Sequence, residues 1–198
     1  MAARGLLPVF ALVALAGCGA THHATATTTS PPPRTTTSAA APPPSALQAE
    51  ATSKAAGDIP DNQVFLRLSS PLGFSMKYPE GWAQLTRGST LTIRDKNNIV
   101  RVVVTSGAPT VASIRQGLRA SHVTAGPTKV TISGASAYKV SYTTQSAPNA
   151  VTGKRVTLVV DRYYLVHAGK EAIVDLGTPV GVDNVDAYRM MIESFQWK

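Results

Sequence analysis

The chain predicts an α+β domain in which two helices pack on a twisted sheet of antiparallel strands. Three observations carry this. From about Ile59 to Lys198, β-branched and aromatic residues recur in short runs that alternate apolar and polar. Turn signals separate the runs: Pro71-Leu72-Gly73, Pro79-Glu80-Gly81, Asn97-Asn98 and Ala168-Gly169-Lys170. The period becomes helical twice, once in mid-domain and once near the C-terminus.

Taken in order, Val64 to Ser70 alternates, with Val64, Leu66 and Leu68 on one side and Phe65 and Arg67 on the other. Phe74 to Tyr78 alternates again, and Trp82 to Thr86, Thr90 to Asp95 and Ile99 to Thr105 are further short strands. At Val111 to Ala120 the spacing of Val111, Ile114 and Leu118 is helical, and Thr110 is positioned as N-cap. Lys129 to Ser133 and Ala137 to Thr144 form a hairpin around Gly134, followed by a polar loop from Ala147 to Gly153. Arg155 to His167 and Glu171 to Gly177 read as a long hairpin. The last helix is expected to start at an Asp183 N-cap, with Asp186 in its first turn and an apolar stripe of Val185, Tyr188, Ile192 and Phe195.

The stretch Gly73-Phe74-Ser75-Met76-Lys77-Tyr78-Pro79-Glu80-Gly81-Trp82 resembles the opening motif of the PsbP-like family, a Gly-Phe strand running into Tyr-Pro-x-Gly-Trp. The closing helix into Ser194-Phe195 and the order of elements between are similar too, so the resemblance covers roughly residues 64–198. It implies an α/β/α sandwich around a central antiparallel sheet. The family includes an extrinsic subunit of photosystem II, a Ran-binding nuclear import factor, and bacterial lipoproteins and chaperones for exported proteins; the thread it implies is protein binding. No partner-contact motif matches residue by residue, so the resemblance assigns no site. The motif itself is a packing unit: Phe74, Met76 and Tyr78 share a strand face, Pro79 ends the strand, and Gly81 lets Trp82 fold back.

The N-terminal region points to a membrane. Leu15-Ala16-Gly17-Cys18 resembles the lipobox of bacterial prolipoproteins, after a short basic region at Arg4 and an apolar run from Leu6 to Leu15. That run is shorter than the roughly 20 residues needed to span a bilayer. Cys18 is the chain's single cysteine, so no intramolecular disulfide can form. The expectation is a signal peptide over 1–17, cleavage between Gly17 and Cys18, and a diacylglyceryl thioether on Cys18 that ties the chain to the bilayer. Residues 18–58, rich in Ala, Thr, Ser and Pro, lack hydrophobic periodicity and read as a disordered tether. As a coil the tether reaches about 35–40 Å. The domain is assigned to 59–198, on the extracytoplasmic face of the cell membrane.

Within the domain no catalytic set stands out. The full chain has a formal net charge of +8, and the domain's basic excess reads first as solubility, because the basic residues are spread out, with attraction to anionic lipid headgroups or cell-envelope polymers as the sharper alternative. Nucleic acid is not expected as a partner of an exported, tethered domain. His122 and His167 lack a nucleophile elbow, and His22-His23 is a weak metal handle, so neither metal nor cofactor is expected. Asp161, Asp175, Asp183 and Asp186 sit near elements that could meet, which leaves open an envelope hydrolase or a carbohydrate-binding domain using carboxylates and aromatics. Arg162-Tyr163-Tyr164 has the composition of a protein-interface anchor, with Arg162 and Tyr164 on one strand face and Tyr163 on the other. The first expectation is therefore a non-catalytic envelope lipoprotein that binds or scaffolds another envelope protein.

Overall fold

In a computed structural model, which describes residues 57–149 and 151–198, ten strands and two helices follow one another: β1 (Phe65–Ser70), β2 (Phe74–Pro79), β3 (Ala83–Arg87), β4 (Thr90–Asp95), β5 (Asn98–Ser106), α1 (Val111–Gly117), β6 (His122–Ile132), β7 (Ala135–Gln145), β8 (Thr157–His167), β9 (Lys170–Pro179), α2 (Val185–Glu193) and β10 (Gln196–Trp197). The signal segment 1–17, the Gly17-Cys18 junction, His22-His23 and the tether as far as residue 56 lie outside the described residues. Among the described residues no helix is long and apolar enough to cross a membrane.

Seven strands form one sheet in the order β3-β4-β5-β9-β8-β7-β6, and β1, β2 and β10 form a second, small one. Every pairing is antiparallel. Because side chains alternate along each strand, the large sheet has two faces, and each collects its own core. On one face Leu91, Ile93, Val100, Val102, Tyr163, Leu165, Val174 and Leu176 pack under α2 and the small sheet. On the other, Ile114 and Leu118 of the α1 segment sit on Val140, Tyr142, Leu158, Val160 and Tyr164. The result is the α/β/α arrangement.

The Gly73–Trp82 motif belongs to the first core. Phe74 and Met76 are fully buried, Trp82 nearly so, and Tyr78 packs at the margin. Phe195 stacks on Phe74 at 5.1 Å between centroids, and Trp197 meets Phe195 edge-on at 5.5 Å. The C-terminus thereby closes on the opening motif, since aromatic pairs at these separations add to area burial.

Helix α1 starts at Thr110, as its spacing predicts. The Thr110 hydroxyl accepts from the Ser113 amide at 3.0 Å and the Ser113 hydroxyl accepts from the Thr110 amide at 2.9 Å, a reciprocal capping box. Helix α2 departs from expectation at its start. The cap position is Asn184, whose side chain makes no bond to the helix. Asp183 Oδ1 instead accepts from the Val185 amide at 3.2 Å. Val185 is 69% exposed and is not part of the buried stripe, which is Tyr188, Met191 and Ile192.

Three further differences have physical causes. The turn between β4 and β5 is Lys96-Asn97, since Asp95 pairs with Asn98, and Asn98 is buried as a strand residue. Strand β6 begins at His122, well before Lys129, and its register shifts at Ala125–Thr128 around Gly126-Pro127. As the sheet's edge strand it tolerates a proline that a central strand would exclude. Gly126 lies at φ +83, where a Cβ would stand 2.6 Å from the Lys139 carbonyl oxygen. Finally, β1 is the edge strand of the small sheet and pairs with β2 alone, so Val64 and Leu66 stay exposed while Phe65 and Leu68 touch the core.

Candidate functional site

Strand β8 carries Arg162, Tyr163 and Tyr164 side by side, and pleating sends them to different faces. Arg162 and Tyr164 point to the α1 face and Tyr163 to the α2 face. Both tyrosines are buried.

On the α1 face Arg162 stands opposite Asp175 across β8 and β9. Its Nε donates to Asp175 Oδ1 at 2.5 Å and one terminal nitrogen donates to Oδ2 at 2.8 Å. The same nitrogen donates to the Tyr142 hydroxyl at 3.0 Å, and the guanidinium carbon lies 5.1 Å from the centre of the Tyr142 ring. Burial alone would lower the Arg162 value; the bonds and charge of Asp175 outweigh it and hold the guanidinium firmly charged. Burial, with the negative charge of Asp175, pushes the Tyr142 phenol up to about 12. These groups are locked together as a buried, satisfied network.

On the α2 face Lys139 Nζ lies 2.8 Å from Asp161 Oδ2 and 5.5 Å from the centre of the Tyr163 ring. The Ser141 hydroxyl donates to the other Asp161 oxygen. Burial works to lower the Lys139 ammonium, but Asp161 and Tyr163 together hold it above its ordinary range. The cluster lies at one side of an open cavity of about 310 Å³ between the sheet and α2, whose opposite wall includes Val185, Tyr188 and Arg189.

The four aspartates do not assemble as a paired-acid site. Asp161 pairs in register with Leu176 and Asp175 with Arg162, so their carboxylates leave the sheet on opposite sides. Asp183 and Asp186 line a separate recess with Ile59 and Pro60. Asp186 is mostly engaged with solvent, although Arg189 reaches it at 2.5 Å. His122 and His167 are exposed and occupy opposite ends of the sheet, the first opposite Thr143 and the second beside Trp197. Among the described residues no three His, Cys, Asp or Glu side chains are placed to hold a metal ion.

The sheet also assembles a feature that the linear sequence hides. Helix α1 covers the β6–β8 part of its face, while among the described residues no helix packs on β3, β4 or β5 there. Cross-strand pairing puts Arg94 beside Ala83 and Ile99, Arg101 beside Thr92 and Asp175, and Arg87 beside Thr90. All three arginines are exposed on this one face, and among the described residues none has a hydrogen-bond or ion-pair partner. Leu85, also exposed, lies among them. Beside Arg94 the face deepens into a groove of about 550 Å³, walled by Ser146, Ala147 and Asn149. The arginines are seven residues apart in sequence, and only strand register shows that they converge.

No family model matches the chain, and no curated protein matches it. Solved structures do. Cyanobacterial PsbP (CyanoP) from Synechocystis sp. PCC 6803 superposes with a TM-score of 0.50 at 14% identity, covering 72% of this chain and 98% of that one. A protein of Bacteroides thetaiotaomicron gives 0.45 at 15% identity over 67% of this chain and 48% of its own. The Saccharomyces cerevisiae Ran-binding protein Mog1p gives 0.43 at 8% identity, over 69% and 96%. The likeness to CyanoP shows the fold: a PsbP-like α+β domain with its large antiparallel sheet and two helices.

Proposed function

We propose that the chain is a membrane-anchored cell-envelope lipoprotein whose extracytoplasmic PsbP-like domain binds or scaffolds other envelope proteins and catalyses no reaction. The observation that carries this is Leu15-Ala16-Gly17-Cys18 behind an apolar run, with Cys18 the chain's single cysteine. Lipidation accounts for a cysteine at that place in a chain that can make no disulfide with itself. Two acyl chains give stable anchoring where one is marginal.

The domain's internal chemistry supports binding over catalysis. Asp161 and Asp175 face opposite ways, and each is held by a cation in a structural pair. The family resemblance of the Gly73–Trp82 motif implies protein binding as well. Affinity capture from intact, cross-linked envelope with a tagged full-length chain tests the proposal. A specific envelope protein should be recovered in stoichiometric amount. Recovery of no protein, together with a small molecule bound to the purified chain, would contradict it.

A further inference from the structure

Building on the reading of this domain as protein-binding, we propose that the β3–β5 half of the α1 face, which no helix among the described residues covers, docks an acidic segment of the partner protein, with Arg87, Arg94 and Arg101 as its anchors.

Arg94 and Arg101 lie on adjacent strands one side-chain row apart, so their Cα atoms are diagonal neighbours at about 7–8 Å. Arg87 lies further along the same face. The two nearer cations lie within about one Debye length at physiological salt, so their fields overlap. The carboxylate next to Arg101, that of Asp175, is already held through two bonds by Arg162. Two others lie at its margins: Glu171 at the end of the sheet opposite Thr105, its pKa raised by burial, and Asp95 at the end of β4, lining the groove beside Arg94. Three exposed guanidiniums therefore share a face whose one central carboxylate is neutralised within the fold. Each offers a planar fork of donors that matches a carboxylate.

Shape decides between classes of anionic partner. Helix α1 stands on the same face, on the β6–β8 side. A helix rises about 10 Å from the sheet it packs on. A flat bilayer resting on α1 would be held off the floor where the arginines are rooted. A single polypeptide segment is narrow enough to lie beside α1 and reach that floor. The floor between the cations combines Thr90 and Thr92 with exposed Leu85 and half-buried Ile99 and Val103, a mixed surface that suits a segment of acidic and apolar residues.

The test uses the full-length chain in nanodiscs of zwitterionic lipid, free of detergent, and a labelled ten-residue peptide of alternating Glu and Leu, with a Gln-for-Glu peptide and phosphatidylglycerol vesicles as comparison probes. The Glu peptide should bind, weaken steeply with added salt, and lose at least about tenfold in affinity with the combined Arg87→Gln, Arg94→Gln and Arg101→Gln variant. A variant of equal charge, with Arg67→Gln, Arg119→Gln and Lys154→Gln, should bind as the parent does. Equal loss in both variants would make net charge the cause and overturn the proposal. Vesicle binding without peptide binding, or binding of neither, would overturn it too. Envelope capture separates this failure from that of the broader reading. If the Arg87/Arg94/Arg101 variant still captures the parent's partner in full, the docking face is wrong and the binding function stands; if the parent captures nothing, the binding function itself fails.

Discussion

Arg162 and Asp175 clasp each other across β8 and β9 through two nearly parallel bonds, on a face where Asp175 is 7% exposed. The pair resists replacement by halves. Removing the guanidinium leaves a buried carboxylate without its cation and takes a donor from the Tyr142 hydroxyl. Arg162→Met, which keeps the packing of the side-chain stem, should cost about 3 kcal/mol in denaturant unfolding. Adding Asp175→Asn should recover part of that loss, because the unpaired charge goes too. A double variant less stable than the single one would show that the pair is not the unit.

A second hub joins the entry of the domain to its end. Asn184 Oδ1 accepts from the Ile59 amide at 2.8 Å, and its Nδ2 donates to Asn98 Oδ1 at 3.1 Å and Thr178 Oγ1 at 2.9 Å. Asn98 Nδ2 in turn donates to the Gly57 carbonyl. Asn184→Ala strands several buried polar groups and should cost about 2 kcal/mol. Amide exchange at Ile59 should quicken while the middle of β8 and β9 stays protected. Unchanged exchange at Ile59 would deny the hub its role in holding residues 57–59.

Alkaline pH should expose the buried phenols. Burial raises Tyr142, Tyr163, Tyr164 and Tyr188, the first to about 12. The folded values lie above the unfolded one, near 10. The folded state thus keeps these protons longer. Their contribution to stability is full below about pH 10 and is lost as pH rises through the folded values. Lys139, also raised, acts with the same sign. At about pH 11 the native chain should show less phenolate absorbance than the urea-unfolded chain, and its unfolding midpoint should fall from about pH 10 upward. Identical phenolate titration of the two states would contradict the burial of these side chains.

Much of the fold is legible in the sequence wherever a local signal and the tertiary environment agree. The Phe74–Trp82 motif, the Thr110 cap and the hairpin at Ala168-Gly169 each carry their own turn or cap chemistry. The first half of β6 is not legible, because an edge strand pays no ladder bond for Pro127 and needs no alternation where it bulges. Strand β10 is two residues long and exists through its pairing with β2. Asn184 is hidden for another reason: Asp183 beside it is an equally good cap by residue type, and the core bonds that recruit Asn184 come from residues 57–59, 98 and 178. Arg162 is visible in the sequence as part of a candidate interface anchor with Tyr163 and Tyr164, but its partner Asp175 is set by register. Register likewise gathers Arg87, Arg94 and Arg101, which read in sequence as scattered surface charge.

Fatty-acid labelling of Cys18→Ser tests the anchored-lipoprotein claim most directly. Cells expressing the parent and the variant are fed labelled fatty acid and fractionated. The parent should carry label and sediment with membranes. The variant lacks the sulfur that accepts the diacylglyceryl group, so it should carry no label and accumulate as unprocessed precursor or pass into the soluble fraction. Undiminished label and membrane sedimentation in Cys18→Ser would contradict the account.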